Sequence, residues 1–229
     1  MSALDRAGEV RRFERSRLEP HAVDAARALL GALLVRSIDG TQVVARIVET
    51  EAYREDDPAS HTYGRRTARV EPMFAAAGTA YVYRSYGVHW CANVSAEVDG
   101  IGAAVLLRAA VVLQGHDAVR ERRPTARTDR DLLRGPGSLC RGLGIDAPTH
   151  DGGDLIEGHG SLLLADDGWR PRPGDLTAGP RVGVSRAADV PWRFHLLGAA
   201  EVSRYVRSPR AVRSDGTSGH GRTTSGRVT

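Results

Sequence analysis

The sequence predicts an α+β fold, one domain in which short helices pack on a mixed or mainly antiparallel β-sheet. Three observations carry this. The 229 residues fit a single domain with at most a small appendage. Residues 78–113, "GTAYVYRSYGVHWCANVSAEVDGIGAAVLLRAAVVL", are rich in β-branched and aromatic side chains, and Tyr86-Gly87 and Asp99-Gly100 divide them into three strands. Residues 22–36, "AVDAARALLGALLVR", instead space Leu29, Leu30, Leu33 and Leu34 at helical intervals, with Asp24 as the cap.

The remaining elements follow in order. "TQVVARIVETEAY", residues 41–53, reads as a strand entered from an Asp39-Gly40 turn. Residues 115–123 and 138–145 read as short helices, the second announced by the turn Gly135-Pro136-Gly137. Residues 149–179 are rich in Gly, Pro and Asp and read mostly as loop, with one apolar piece, "SLLLA". "RVGVS" and "WRFHLL" read as closing strands. The domain is expected over residues 19–206, after a flexible N-terminal segment, 1–18.

Composition narrows the function classes. Hydrophobic residues are 41% and charged residues 26% of the chain, enough apolar surface for a core. No run approaches the roughly 18 apolar residues of a membrane span, and the charged N-terminus has no apolar stretch like that of a secretory signal. Cys91 and Cys140 lack metal or redox spacing and are expected as packed, reduced thiols in the cytoplasm. The net charge of +4 is local: residues 207–229 hold five arginines against Asp215 alone, and residues 1–206 are neutral. Residues 207–229 are poor in large apolar side chains and are expected to form a disordered basic tail suited to phosphate contact or to solubility.

Two clusters of residues carry chemistry. On a strand, Ile47, Glu49, Glu51 and Tyr53 share one face and Val48, Thr50 and Ala52 the other. Two carboxylates roughly 7 Å apart along a strand beside a tyrosine suit acid/base work on a glycosidic bond, although such a face is more often simply solvated. His61 follows on a polar loop, with no spacing that marks a metal site, so neither metal nor cofactor is expected. The second cluster is "YVYRSYGVHW", which packs Tyr81, Tyr83, Tyr86, His89 and Trp90 into ten residues. Such rings suit a sheet core, but Tyr86 at a hairpin tip suits a wedge into a groove or a stack of bases. Arg65, Arg66 and Arg69 lie upstream in "GRRTARV" as a local phosphate-binding surface.

These residues carry a resemblance. "RIVETEAY", the histidine of "ASH", "GRRT", "GTAYVYRSYG", "CANVS", "LLRA", "GPGSLCRGLGI", "RVGVS" and "WRFHL" occur in the order and spacing of the alkyladenine (3-methyladenine) DNA glycosylase family, across roughly residues 20–206. The resemblance implies a single mixed domain around a curved, mainly antiparallel sheet with a protruding β-hairpin, a barrel like the C-terminal domain of formyltransferases. It implies a monomeric base-excision repair enzyme, without cofactor, that works in the cytoplasm on damaged double-stranded DNA of the nucleoid and flips an alkylated purine into an aromatic pocket. By the same resemblance Glu51 is the base that activates water, and Arg108 braces that water and the flipped nucleotide. Tyr53, His61 and Tyr83 form the pocket, Asn93 gates it against guanine, and Tyr86 is the intercalating wedge. Arg65, Arg66, Arg84 and Ser138 are the candidates for DNA-backbone contact. Glu49 is expected to support its neighbour rather than to catalyse.

Three positions depart from the family pattern and bear on affinity and lesion range. Ser138 stands where lysine is usual, Val70 where asparagine is common, and His89 where an aromatic or apolar residue is frequent. The chemistry is consistent with the assigned roles. A cationic alkylated purine leaves readily and is attracted by π faces, while a carboxylate stabilises an oxocarbenium-like transition state. All 32 basic residues are arginine, so no lysine is present for Schiff-base chemistry, and hydrolysis by water is favoured.

Overall fold

The computed structural model describes residues 10–211, which form one nine-stranded, curled antiparallel sheet flanked by short helices. The strands are β1 (Arg11–Arg12), β2 (Leu33–Ile38), β3 (Thr41–Tyr53), β4 (Ala80–Ser85), β5 (His89–Ser95), β6 (Ala104–Gln114), β7 (Leu162–Asp166), β8 (Leu176–Gly179) and β9 (Arg193–Leu196). Their order is β1-β7-β2-β3-β6-β5-β4, with β9 pairing both β3 and β8. The helices are α1 (Ala22–Ala28), α2 (His116–Arg122), α3 (Pro136–Leu143) and α4 (Ala147–His150). An α+β fold on an antiparallel sheet is therefore what these residues form.

The three strands expected within 78–113 are β4, β5 and β6, and the Asp39-Gly40 turn joins β2 to β3 with both residues at positive φ. Two helices lie where 115–123 and 138–145 predict them. The helix expected over 22–36 is shorter. It stops near Ala28 because Gly31 turns the chain at φ 91, where a side chain would meet the Trp169 ring at 2.6 Å. Leu33 and Leu34 then point to opposite faces of β2 and enter two different apolar clusters, so a strand covered on both faces mimics helical spacing. His21, not Asp24, caps α1: its Nδ1 accepts the Val23 amide.

Three further expectations change. "SLLLA" is strand β7, paired with β2. "RVGVS" is a loop, and β8 just before it does the pairing with β9. Phe13 and Leu18, within the segment set apart as N-terminal, are buried in the main core. Residues 1–9 and 212–229, which hold most of the basic tail, lie outside the described residues; Arg207 pairs with Asp189 at the surface. Cys91 and Cys140 are both free and buried, and among the described residues no helix is long and apolar enough to cross a membrane.

Strand β3 positions the site because the sheet branches along it. Its first half pairs with β2 as far as Arg46; from Glu49 to Glu51 it pairs with β9, while β6 runs along its other edge. Register shifts against β6 fall on both sides of Glu49. Such bulges break strict alternation, so Ile47 joins Val48 and Ala52 in the apolar core instead of sharing a face with the glutamates. The solvated reading of that face is also overturned: Glu49 and Glu51 are each 0% exposed.

Candidate active site

Two carboxylates buried side by side must be satisfied by donors, and here the donors separate them. Glu49 is enclosed. Its Oε1 accepts from Arg108 Nε (2.9 Å), Arg193 Nε (2.6 Å) and Ser203 Oγ (2.8 Å), and its Oε2 accepts the Ser203 amide (2.7 Å). Burial alone would raise its carboxyl. Arg108, the Ser203 amide and Arg193 outweigh this and hold it below the usual carboxylate range.

Glu51 instead lines a cleft of about 880 Å³. Its Oε1 accepts the Val182 amide at 2.7 Å and lies 3.2 Å from Arg108 Nη1; its Oε2 accepts the Tyr53 hydroxyl at 2.8 Å. The Val182 amide and the Tyr53 hydroxyl thus each donate to one oxygen of Glu51, and Arg108 sets a positive charge beside Oε1. Burial and the Glu51 charge raise the Tyr53 phenol well above its usual range, so it remains a donor. Arg108 is pulled down by burial but raised further by Glu51 and Glu49, so it stays charged between them.

The cleft wall is aromatic. Tyr81 and Tyr83 stack at 5.4 Å, and His61 meets Tyr83 edge-on at 4.6 Å. His61 Nδ1 shares a 2.9 Å hydrogen bond with the Tyr81 hydroxyl. Burial, then Arg69 and Arg65, lower the His61 imidazole, so it is neutral near pH 7. Burial pushes the Tyr81 phenol up to about 12 and raises Tyr83 further. The buried Asn93 also faces the cleft; its amide donates to Tyr81 O at 2.9 Å, which fixes its rotamer.

At the rim stands the β4–β5 hairpin. Ser85 pairs with His89, leaving residues 86–88 as the tip. Tyr86 is 92% exposed and adopts φ 50, a conformation that costs a non-glycine side chain energy. An exposed ring held in a strained turn contributes nothing to the fold's own packing. Across the hairpin Arg84 lies 5.0 Å from the Trp90 ring. His89 abuts Gly137 at the start of α3, where any side chain would come within 3.0 Å of the histidine. This contact favours glycine at 137 and brings the start of α3, with the half-buried Ser138, against the turn end of the hairpin.

The cleft thus unites Glu51, Arg108, Tyr53, His61, Tyr83 and Asn93, with Tyr86, Arg65 and Arg84 at its edge. Arg66 and Ser138 do not line it. Arg66 forks onto Glu71 and covers the Phe74 ring. Sequence reasoning missed Val182, because a backbone amide leaves no mark in a pattern, and Arg193 and Ser203, whose partner Glu49 is distant in sequence. Arg181, buried against Tyr53, stands at the head of the "RVGVS" motif, which gave it no role by itself.

By class the chain is a DNA glycosylase, a hydrolase acting on N-glycosidic bonds: the family model described as Methylpurine-DNA glycosylase matches residues 16–200. The chain belongs to the methylpurine-DNA glycosylase family. It is 52% identical over 196 residues to a protein of Nocardia farcinica provisionally named 3-methyladenine DNA glycosylase, covering 82% of this chain and 88% of that one. Proteins with the same provisional name from Rhodococcus jostii (46% identical; 87% of each chain) and a Mycobacterium species (45%; 88% of this chain, 96% of that one) are similar along their length.

Proposed function

We propose that the protein is a monofunctional DNA glycosylase. It turns an alkylated or deaminated purine of the 3-methyladenine, 7-methylguanine, hypoxanthine and ethenoadenine class out of duplex DNA and hydrolyses its N-glycosidic bond with a water activated by Glu51. The observation that carries this reading is a buried carboxylate, Glu51, paired with Arg108 and lining an aromatic cleft that has an exposed ring at its rim.

A duplex hides the bond to be cut, so the base must leave the stack. Tyr86, exposed and presented on a hairpin, is shaped to fill the gap. The flipped base then lies against Tyr53, Tyr83 and His61. A neutral His61 adds no charge against a cationic purine, and the π faces attract it. Asn93, held by Tyr81 O, stands where it obstructs a purine that carries an extra amino group. As the C1′–N bond lengthens, positive charge grows on the sugar. The Glu51 carboxylate offsets it, takes a proton from water and directs the resulting nucleophile to C1′, and the base leaves with the bonding pair. Arg108, charged and shared with Glu49, keeps the Glu51 carboxylate in place.

The test is an excision panel on duplexes holding hypoxanthine or 1,N6-ethenoadenine and on methylated DNA. Release of at least one damaged base with an intact abasic strand is expected. No release from any of the three, with damaged DNA still bound, would make the protein a damage-binding module instead.

A further inference from the structure

Both neutral donors on Glu51 depend on one buried cation. Arg181 is 1% exposed. Its Nη1 donates to Ala52 O at 3.0 Å and to Asp57 Oδ2, and its Nη2 donates to Asp57 Oδ1 at 3.0 Å. Its guanidinium lies 4.7 Å from the Tyr53 ring and 5.4 Å from the Trp192 ring. The next residue in the chain, Val182, gives its amide to Glu51 Oε1; Tyr53 gives its hydroxyl to Oε2. Arg181 therefore reaches one donor through the backbone and the other through a ring face. Asp57 lies on the loop that leads to His61, so the same ion pair ties the pocket loop to the strand that carries Glu51.

A loop anchor alone does not call for this arrangement. A buried ion pair carries a desolvation cost that an apolar contact of similar volume avoids. Arg181 Nε, buried, has no acceptor among the described residues, a further cost that a purely structural clamp would shed. We infer that Arg181 and Asp57 are a positioning pair for the proposed base: they fix the Val182 amide and the Tyr53 hydroxyl on Glu51, and so set the orientation of its carboxylate toward the water. This rests on the reading of Glu51 given above. Arg181 touches neither substrate nor water in this account.

The experiment compares the wild-type protein, Arg181→Lys and the neutral pair Asp57→Asn/Arg181→Gln. Lysine keeps the charge but loses the fork and the planar ring contact. The neutral pair removes both buried charges and guards against loss of fold from an orphaned carboxylate. Thermal unfolding, affinity for a duplex with a stable abasic analogue, and single-turnover release of hypoxanthine at saturating enzyme are measured for each. In both variants release is expected to fall on the order of 100-fold, the scale of a small misplacement of a reacting group, while affinity is unchanged. That split persisting in a neutral pair with wild-type thermal stability supports a positioning role. A wild-type rate in either folded variant overturns it and leaves the pair as a loop anchor. Failure of the wild-type protein to release any base overturns the reading of Glu51, and this one with it.

Discussion

Glu49 and Glu51 are two residues apart on one strand, equally buried, and differ in their surroundings. Four donors, two of them guanidinium nitrogens, hold Glu49 away from the cleft; Glu51 lines the cleft with the Val182 amide, the Tyr53 hydroxyl and Arg108 around it. Substitution separates the two roles. Glu51→Gln is expected to hold damaged DNA as wild type does while releasing base about 10²–10⁴-fold more slowly, the usual worth of a general base; undiminished release in single turnover removes Glu51 from that role. Glu49→Gln is expected to act on stability first, since it leaves Arg108 and Arg193 less compensated, at a cost of about 3–5 kcal/mol in urea unfolding at neutral pH. The pH dependence has a definite sign. Because the folded state lowers the Glu49 carboxyl, its contribution is complete above the ordinary glutamate value of about 4.3 and fades as pH falls through the lowered one. The gap between wild type and Glu49→Gln should therefore narrow on acidification, and a constant gap from pH 7 to 3 would contradict it.

At the scale of elements, the β4–β5 hairpin sets its tip against its own stability. Tyr86 occupies a left-handed conformation that glycine adopts without strain, and its ring packs on nothing. Tyr86→Gly is expected to leave the unfolding free energy in urea within about 0.5 kcal/mol of wild type and to weaken excision from duplex DNA. A substitution that cost stability without touching excision would show that the tip serves the fold. Much of this hairpin was readable from the sequence, since alternating aromatics broken by Tyr86-Gly87 specify strand, tip and strand. The carboxylate strand was readable as a strand, but not its burial. Bulges around Glu49 come from pairing with β6 about 60 residues away, and the cover of β9 from pairing about 145 residues away. The "RVGVS" loop was misread because apolar alternation over five residues looks the same in a strand and in a loop pinned by Arg181 and Val182. Local pattern records which side chains are apolar; it does not record which backbone amide will reach which carboxylate.

On the scale of the whole molecule, charge is distributed against the expectation for a protein that handles a polyanion. Residues 1–206 are neutral, and the buried cluster of Glu49, Glu51, Arg108 and Arg193 is itself balanced. Around the cleft, Arg65, Arg69, Arg84 and Arg186 give a local positive rim. Residues 212–229 add Arg213, Arg222 and Arg227 against Asp215. Each phosphate neutralised by an arginine adds about 0.9 to the slope of log affinity against log salt. Rim and terminal segment should therefore differ in what they control. Rim arginines border the cleft, and their loss should reduce excision at saturation as well as binding. Removing residues 212–229 should leave single-turnover release at saturating enzyme unchanged. Affinity for a plain duplex should weaken, and the salt slope should fall by roughly 2–3 if all three arginines meet phosphate. Titration of a labelled duplex at several salt concentrations reads both quantities. An unaltered slope would assign DNA binding wholly to the cleft rim, and a lower saturating rate would mean that the terminal segment reaches the site itself.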